Sequence, residues 1–264
     1  MAEPLKKTTG KALFWSFTDK GGQQVIQLVF GYILARLLSK DEFGLVAVLA
    51  VFTAVANILQ ESGFSSALIR KKDPEAKDFA SVFYFNISIS ILIYIVLFFC
   101  APLIASFYDK PLLTDLSRVI FLAFVFNAFG IIQNVNLLRK MDYKTNTRIT
   151  LIAFLISGII AISMAYYGFG VWSLVVQLVS QSFFRSLLLW IFVRWKPSAG
   201  FSTPHLRSMA PYSIKLLLAG VLNQVCGNIY AIILGKSSMG LAGTFSQANK
   251  LNLIPQSVIS DGIK

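Results

Sequence analysis

Six polar or small residues recur at steps of three and four near the start of the chain: Ser16, Asp19, Lys20, Gln23, Gln27 and Gly31. On a helix that spacing makes one continuous polar stripe. Lys20 offers a cation to an anionic ligand, Gln23 and Gln27 offer hydrogen bonds, and Asp19 is the one acidic group placed to couple to an ion. A second set follows at Lys215, Asn223, Gln224, Gly227 and Asn228, again with partners four apart. Arg185 stands in a third apolar stretch. Guanidinium and ammonium groups both suit phosphate, so Lys20, Arg185 and Lys215 together would suit a diphosphate head group. Plainer readings stay open beside this one. Polar contacts between helices and snorkelling cations account for each of these residues taken singly.

Other chemistry is poorly supplied. The lone histidine, His205, sits in a polar connector, and the two cysteines, Cys100 and Cys226, sit in apolar runs. They offer neither a metal-ligand set nor a disulfide framework, and both cysteines read as buried small hydrophobes. There is no Gly-rich loop running into Lys-Ser/Thr, no Ser/His/Asp arrangement and no pair of carboxylates in a cleft. The sequence therefore reads as a non-enzyme, with no catalytic residue, no metal and no cofactor.

The elements that must carry these residues follow from composition. The chain has 264 residues, of which 56% are hydrophobic and 14% charged, and a mean hydropathy of +0.68. Soluble domains carry about 25% charged residues, so the main solvent here is lipid. Eight apolar segments are long enough to span a bilayer as helices: 12–38, 43–62, 79–106, 116–138, 149–167, 171–192, 209–234 and 240–258. β-barrel strands would alternate and be about 10 residues long, which these runs do not. The segment from Phe79 to Tyr108 holds no charged residue. Two longer connectors, Gly63 to Asp78 and Val193 to Ser208, leave no room for an extramembrane domain.

Lys and Arg sort by side. With the N-terminus in the cytoplasm, inner segments hold 14 cations, among them Arg70, Lys71, Arg139, Lys140 and Lys196. Outer connectors hold Lys40, Lys110 and Lys236. That asymmetry is the positive-inside pattern, and it accounts for the net charge of +12 without a nucleic-acid partner. The first segment, with Asp19, Lys20 and three glutamines, is too polar for a signal-peptide core and reads as a retained helix. Arg36 and Arg118 lie near outer ends, where they can snorkel.

A repeat adds organisation. Ile33-Leu34-Ala35-Arg36 running into Phe43-Gly44-Leu45-Val46 is matched by Ile232-Ile233-Leu234-Gly235 running into Met239-Gly240-Leu241-Ala242, at an offset of 196 residues. Span seven thus restarts what span one began, a hallmark of transporter folds. The expected division is a six-helix lobe over 1–192, a cytoplasmic linker over 193–208, and the start of a second lobe over 209–264. The two polar-striped helices would line one central passage, and the incomplete second repeat reads as part of a longer protein.

The chain resembles the polysaccharide exporters of the multidrug/oligosaccharidyl-lipid/polysaccharide (MATE/MOP) flippase superfamily, especially the Wzx-like proteins of lipopolysaccharide and teichuronic acid biosynthesis. The resemblance is carried by Trp15-Ser16 with Gln23-Gln24, by Leu34-Ala35-Arg36-Leu37-Leu38-Ser39 into Asp41-Glu42-Phe43-Gly44-Leu45, by Gly63-Phe64-Ser65-Ser66-Ala67-Leu68-Ile69-Arg70-Lys71-Lys72, and by Gly168-Phe169-Gly170-Val171-Trp172-Ser173-Leu174-Val175. It implies an all-α, multi-span bundle in the bacterial inner membrane, with two six-helix lobes around a cavity. It further implies alternating-access translocation of an undecaprenyl-diphosphate-linked oligosaccharide, in an assembly pathway shared with membrane lipids, polymerase and ligase proteins. An ion-coupled small-molecule exporter of the same superfamily is the alternative, and a non-transporting scaffold or fragment the other. The first would favour acidic cavity residues, and Asp19 stands almost alone.

Overall fold

The computed structural model describes residues 21–61, 63–197, 200–238, 240–246 and 248. All regular structure among the described residues is helical. In chain order the helices are α1 (21–37), α2 (Lys40–Glu61), α3 (Phe64–Arg70), α4 (Ala76–Phe107), α5 (Leu112–Ile120), α6 (Leu122–Arg139), α7 (Tyr143–Tyr166), α8 (Val171–Phe192) and α9 (Thr203–Ser237), followed by a helical stretch at 240–246. Among the described residues five segments are long and apolar enough to cross a membrane: Lys40–Gln60, Ala76–Phe107, Leu112–Arg139, Tyr143–Tyr166 and Val171–Phe192. The protein is a multi-span helical membrane protein. The parts of the expected spans at 12–20, 62, 247 and 249–258 lie outside the described residues.

Local chemistry sets the helix starts. At α2, Ser39 Oγ accepts from the Glu42 N–H at 3.3 Å, and Glu42 Oε2 accepts from the Ser39 N–H at 2.7 Å. This reciprocal pair is a capping box, and Glu75 with Asp78 repeats it at α4. α4 has 32 residues, about 48 Å of helix, which exceeds the hydrocarbon thickness of about 30 Å. Its most apolar stretch is only 17% buried, and Leu92, Ile95, Val96, Phe99 and Leu103 face outward, as a lipid-facing helix requires.

The core forms where helices turn apolar faces to one another. α8 packs along α7 and α6, α4 along α6 and α5, and α2 along α9. One apolar cluster joins Val48 and Leu49 of α2, Ile104 of α4, Leu116 of α5, Phe124 of α6 and Val175 of α8. A second, at the end of the bundle that carries Arg139 and Lys140, joins Leu68 of α3, Val82 and Phe83 of α4, and Ile132 and Val135 of α6.

Three details depart from the sequence reading. The stretch from Gly63 to Asp78 is not only a connector, because it contains α3. Phe64, Ala67 and Leu68, spaced one helical turn apart, are buried. α3 begins at Gly63, whose φ of 71° suits glycine and whose missing Cβ lets it lie against the backbone of Ser213 in α9. Arg139 closes the other end of α3. Its Nη1 donates to the carbonyls of Leu68 (2.6 Å), Ile69 (2.9 Å) and Lys71 (2.8 Å). These are carbonyls that a helix C-terminus leaves without partners. Next, the fourth span is interrupted at Phe121, between α5 and α6, and starts earlier than expected because α5 is amphipathic. There Arg118 lies over the Phe98 ring at 4.4 Å, a cation–π contact. Finally, α9 starts at Thr203 rather than 209, with Pro204 in its first turn, where a missing N–H is tolerated.

The stretch 240–246 rests on the start of α2. A Cβ on Gly243 would stand 2.5 Å from the Lys40 carbonyl oxygen and 2.8 Å from Gly44 N, and Asp41 lies beside Gly240. In the sequence repeat Gly44 and Gly240 are counterparts, so matching helix starts of the two repeats touch. Cys100 is half-buried and free, less enclosed than its apolar run suggests. The side chains of Cys226 and His205 lie outside the described residues.

Candidate functional site

Helices α1, α2, α5, α6, α7 and α8 surround a cavity of about 520 Å³, within the range of ligand pockets. Each helix gives it residues at helical spacing. α6 contributes Ala123, Phe124, Asn127, Asn134 and Leu138, which spans about 22 Å of helix. α7 contributes Tyr143, Asn146 and Thr150, and α8 contributes Leu178, Gln181, Ser182 and Arg185. Gln23 enters from α1, Thr53 and Asn57 from α2, and Ile120 from α5. The cavity thus runs from mid-helix toward the end that carries the cationic connectors.

Eleven of the sixteen lining residues are polar, in a bundle with many large apolar side chains on its outer surface. Six carboxamides line it, together with Thr53, Thr150, Ser182 and the phenol of Tyr143. Among the described lining residues there is one cation, Arg185, and no carboxylate. Arg185 is half-buried, and its Nη2 donates to Asn134 Oδ1 at 3.2 Å. That hydrogen bond joins α8 to α6 and holds the guanidinium at the wall. Thr150 and Ser182 turn their hydroxyls back to the carbonyls of Asn146 and Leu178. Such a site can hydrogen-bond a polyhydroxyl group and place one positive charge beside it.

Of the residues singled out in the sequence, the structure brings Gln23 and Arg185 together on this wall. Gln27, Lys215 and Asn223 are exposed and do not line it. Asp19 and Lys20, and the side chain of Asn228, lie outside the described residues. The sequence reading did not single out Asn57, Asn127, Asn134, Asn146 or Gln181. Their signal was present: Asn127 and Asn134 are seven apart, and Tyr143, Asn146 and Thr150 follow the same helical spacing that drew attention to span one.

Comparison with known proteins identifies the family. The family model described as "Polysaccharide biosynthesis protein" matches residues 33–264. The chain belongs to that family. Among curated relatives of this family member, the succinoglycan biosynthesis transport protein ExoT of Rhizobium meliloti is 27% identical over 97% of this chain and 52% of its own length. The teichuronic acid biosynthesis protein TuaB of Bacillus subtilis is 25% identical over 88% of the chain and 48% of its own. The lipopolysaccharide biosynthesis protein WzxC of Escherichia coli is 23% identical over 84% and 46%. The chain spans about half the length of the curated relatives it matches. No solved structure matches it.

Proposed function

We propose that this polysaccharide-biosynthesis family member forms one lobe of a transporter that moves polyprenyl-diphosphate-linked oligosaccharide repeat units across the bacterial inner membrane. The observation that carries the reading is the amide-lined cavity of about 520 Å³ formed largely between helices of membrane-spanning length. Amides placed mid-span are costly in lipid, so a wall of six of them faces water and a polar solute. The names of the relatives, a succinoglycan transport protein among them, supply the class of solute. The mechanism is alternating access, with two lobes rocking about the cavity, and no covalent step is needed.

In this reading residues 1–192 form the first lobe, 193–208 the linker and 209–264 the opening of the second, with the N-terminus cytoplasmic. Gln23 and Arg185 belong to the substrate wall. Lys20, Gln27, Lys215, Asn223 and Asn228 join it as the second lobe closes, and Asp19 serves ion coupling. Polysaccharide polymerase and ligase act on the delivered product.

The test is genetic. The gene, wild type and Arg185→Ala, is expressed in strains that lack their own polysaccharide flippase, across several glycans. Restored surface polysaccharide with the wild type, lost in the variant at equal membrane level, is the expected result. Absence of rescue on every glycan, with the protein correctly inserted, sinks the reading.

A further inference from the structure

Three of the six cavity carboxamides, Asn57 of α2, Asn127 of α6 and Gln181 of α8, have side chains with no hydrogen-bond partner in the protein among the described residues. Yet none of their polar atoms is sealed from solvent. They reach the same cavity from three different helices. Each carboxamide carries two N–H donors and a carbonyl acceptor, so the three together present donors and acceptors in a mixed field with no net charge.

That mixture discriminates between the two parts of a lipid-linked saccharide. A diphosphate offers acceptors only. It is best held by donors and cations, and carbonyl oxygens turned toward it are repelled. A sugar hydroxyl both donates and accepts, so a carboxamide uses both its ends on it. The one cation among the described lining residues, Arg185, is already bonded to Asn134 through its Nη2. Tyr143 adds a ring face of the amphipathic kind that suits the C–H side of a pyranose.

We infer that Asn57, Asn127 and Gln181 form a sugar subsite that reads neutral hydroxyls of the glycan, while the diphosphate is held apart from these three amides. The inference rests on the transporter reading above and deepens it by dividing the substrate between regions of the cavity. Specificity follows from the same chemistry. A site built to hydrogen-bond hydroxyls rejects ligands that lack them, because its own polar groups would lose water and gain nothing. Carboxylate-bearing sugars should be disfavoured at the amide carbonyls.

The experiment measures equilibrium binding to the full chain by native mass spectrometry. It uses two probes, bare polyprenyl diphosphate and the same lipid bearing a neutral tetrasaccharide. The wild type is expected to bind the glycosylated lipid about tenfold more tightly than the bare one. Asn127→Leu and Gln181→Leu should each erase most of that difference and leave bare-lipid binding unchanged. Equal weakening of both probes in these variants overturns the inference, because these amides then read phosphate. So does a wild type with no preference for the glycosylated lipid. If a leucine variant fails to insert, Gln181→Glu decides: a large loss of bare-lipid binding places the diphosphate at these amides, and its retention supports the sugar subsite. A wild type that binds neither lipid overturns the transporter reading itself, a result distinct from the others.

Discussion

The dock of α3 and the cavity wall share helix α6, and they treat polar side chains in opposite ways. At the dock, the Arg139 guanidinium bonds three carbonyls, Arg70 Nη1 donates to the Tyr212 hydroxyl at 3.0 Å, and Lys71 meets the buried Asp78 at 2.7 Å. The principal donors are tied to another group of the protein. On the cavity wall, Asn57, Asn127 and Gln181 are tied to none among the described residues. Polar side chains thus do two jobs. Where they bond to the protein they fix one helix on another, and where they are left open they remain available to a solute.

The comparison can be broken most severely at Arg139. Arg139→Met should destabilise the protein by about 3 kcal/mol, since three carbonyls lose a charged donor. Thermal unfolding in detergent reads that loss, and faster trypsin cleavage near Arg70 and Lys72 would locate it. Arg139→Lys should fall between, because an ammonium lacks the planar fork. A Tm unchanged by Arg139→Met would show that the dock is not held as described.

A contact with no side chain in it comes next. Gly243→Leu should cost about 2 kcal/mol through steric displacement, as the new Cβ meets Lys40 and Gly44 backbone. Equilibrium unfolding checks this, with Gly31→Leu as a control, since nothing lies within 4 Å of a Cβ there.

A sealed amide sharpens the contrast from the other side. Asn86 in α4 is fully buried, and neither of its side-chain polar atoms has a partner among the described residues; the Ser90 hydroxyl one turn away shares that state. Asn86→Leu should stabilise the protein by about 1 kcal/mol, because a desolvated group without a bond is replaced by an apolar one. A destabilisation of similar size would mean that a bound water satisfies the amide. The smallest effect belongs to the wall: Asn127→Leu should change stability by less than about 0.5 kcal/mol while altering substrate binding, and a clear fall in Tm would show that its amide is structural.

These same residues show how far the sequence could be read. The class of fold was legible, because an uncharged run such as Phe79 to Tyr108 has few alternatives to a membrane helix. α3 was not, since seven residues carry too little apolar length to stand out from a polar connector. Arg139 read as one more topological charge, because a cation's partners are carbonyls whose position depends on the fold. Of the residues that line the cavity, the sequence had singled out Gln23 and Arg185, polar groups in long apolar segments. Asn86 is the one amide of α4, whereas Asn127 shares α6 with Gln133, Asn134 and Asn136, and the spacing does not say which of these amides is enclosed. Only the packing of α4 and α6 decides that Asn86 is enclosed and Asn127 opens on the cavity. The expected central passage between spans one and seven drew attention to Gln27, Lys215 and Asn223, which the structure leaves exposed.

The meeting of Gly243 with the Lys40 carbonyl has a consequence for how this protein can vary over time. Most packed contacts can be altered in compensating pairs, a larger side chain on one element matched by a smaller one opposite. Here both surfaces are main chain, and main chain has nothing smaller to offer. A substitution at 243 therefore has no partner that could restore it, and correlated change between sites would leave no trace of this close approach between α2 and the stretch 240–246. The constraint would register only as an unvarying glycine.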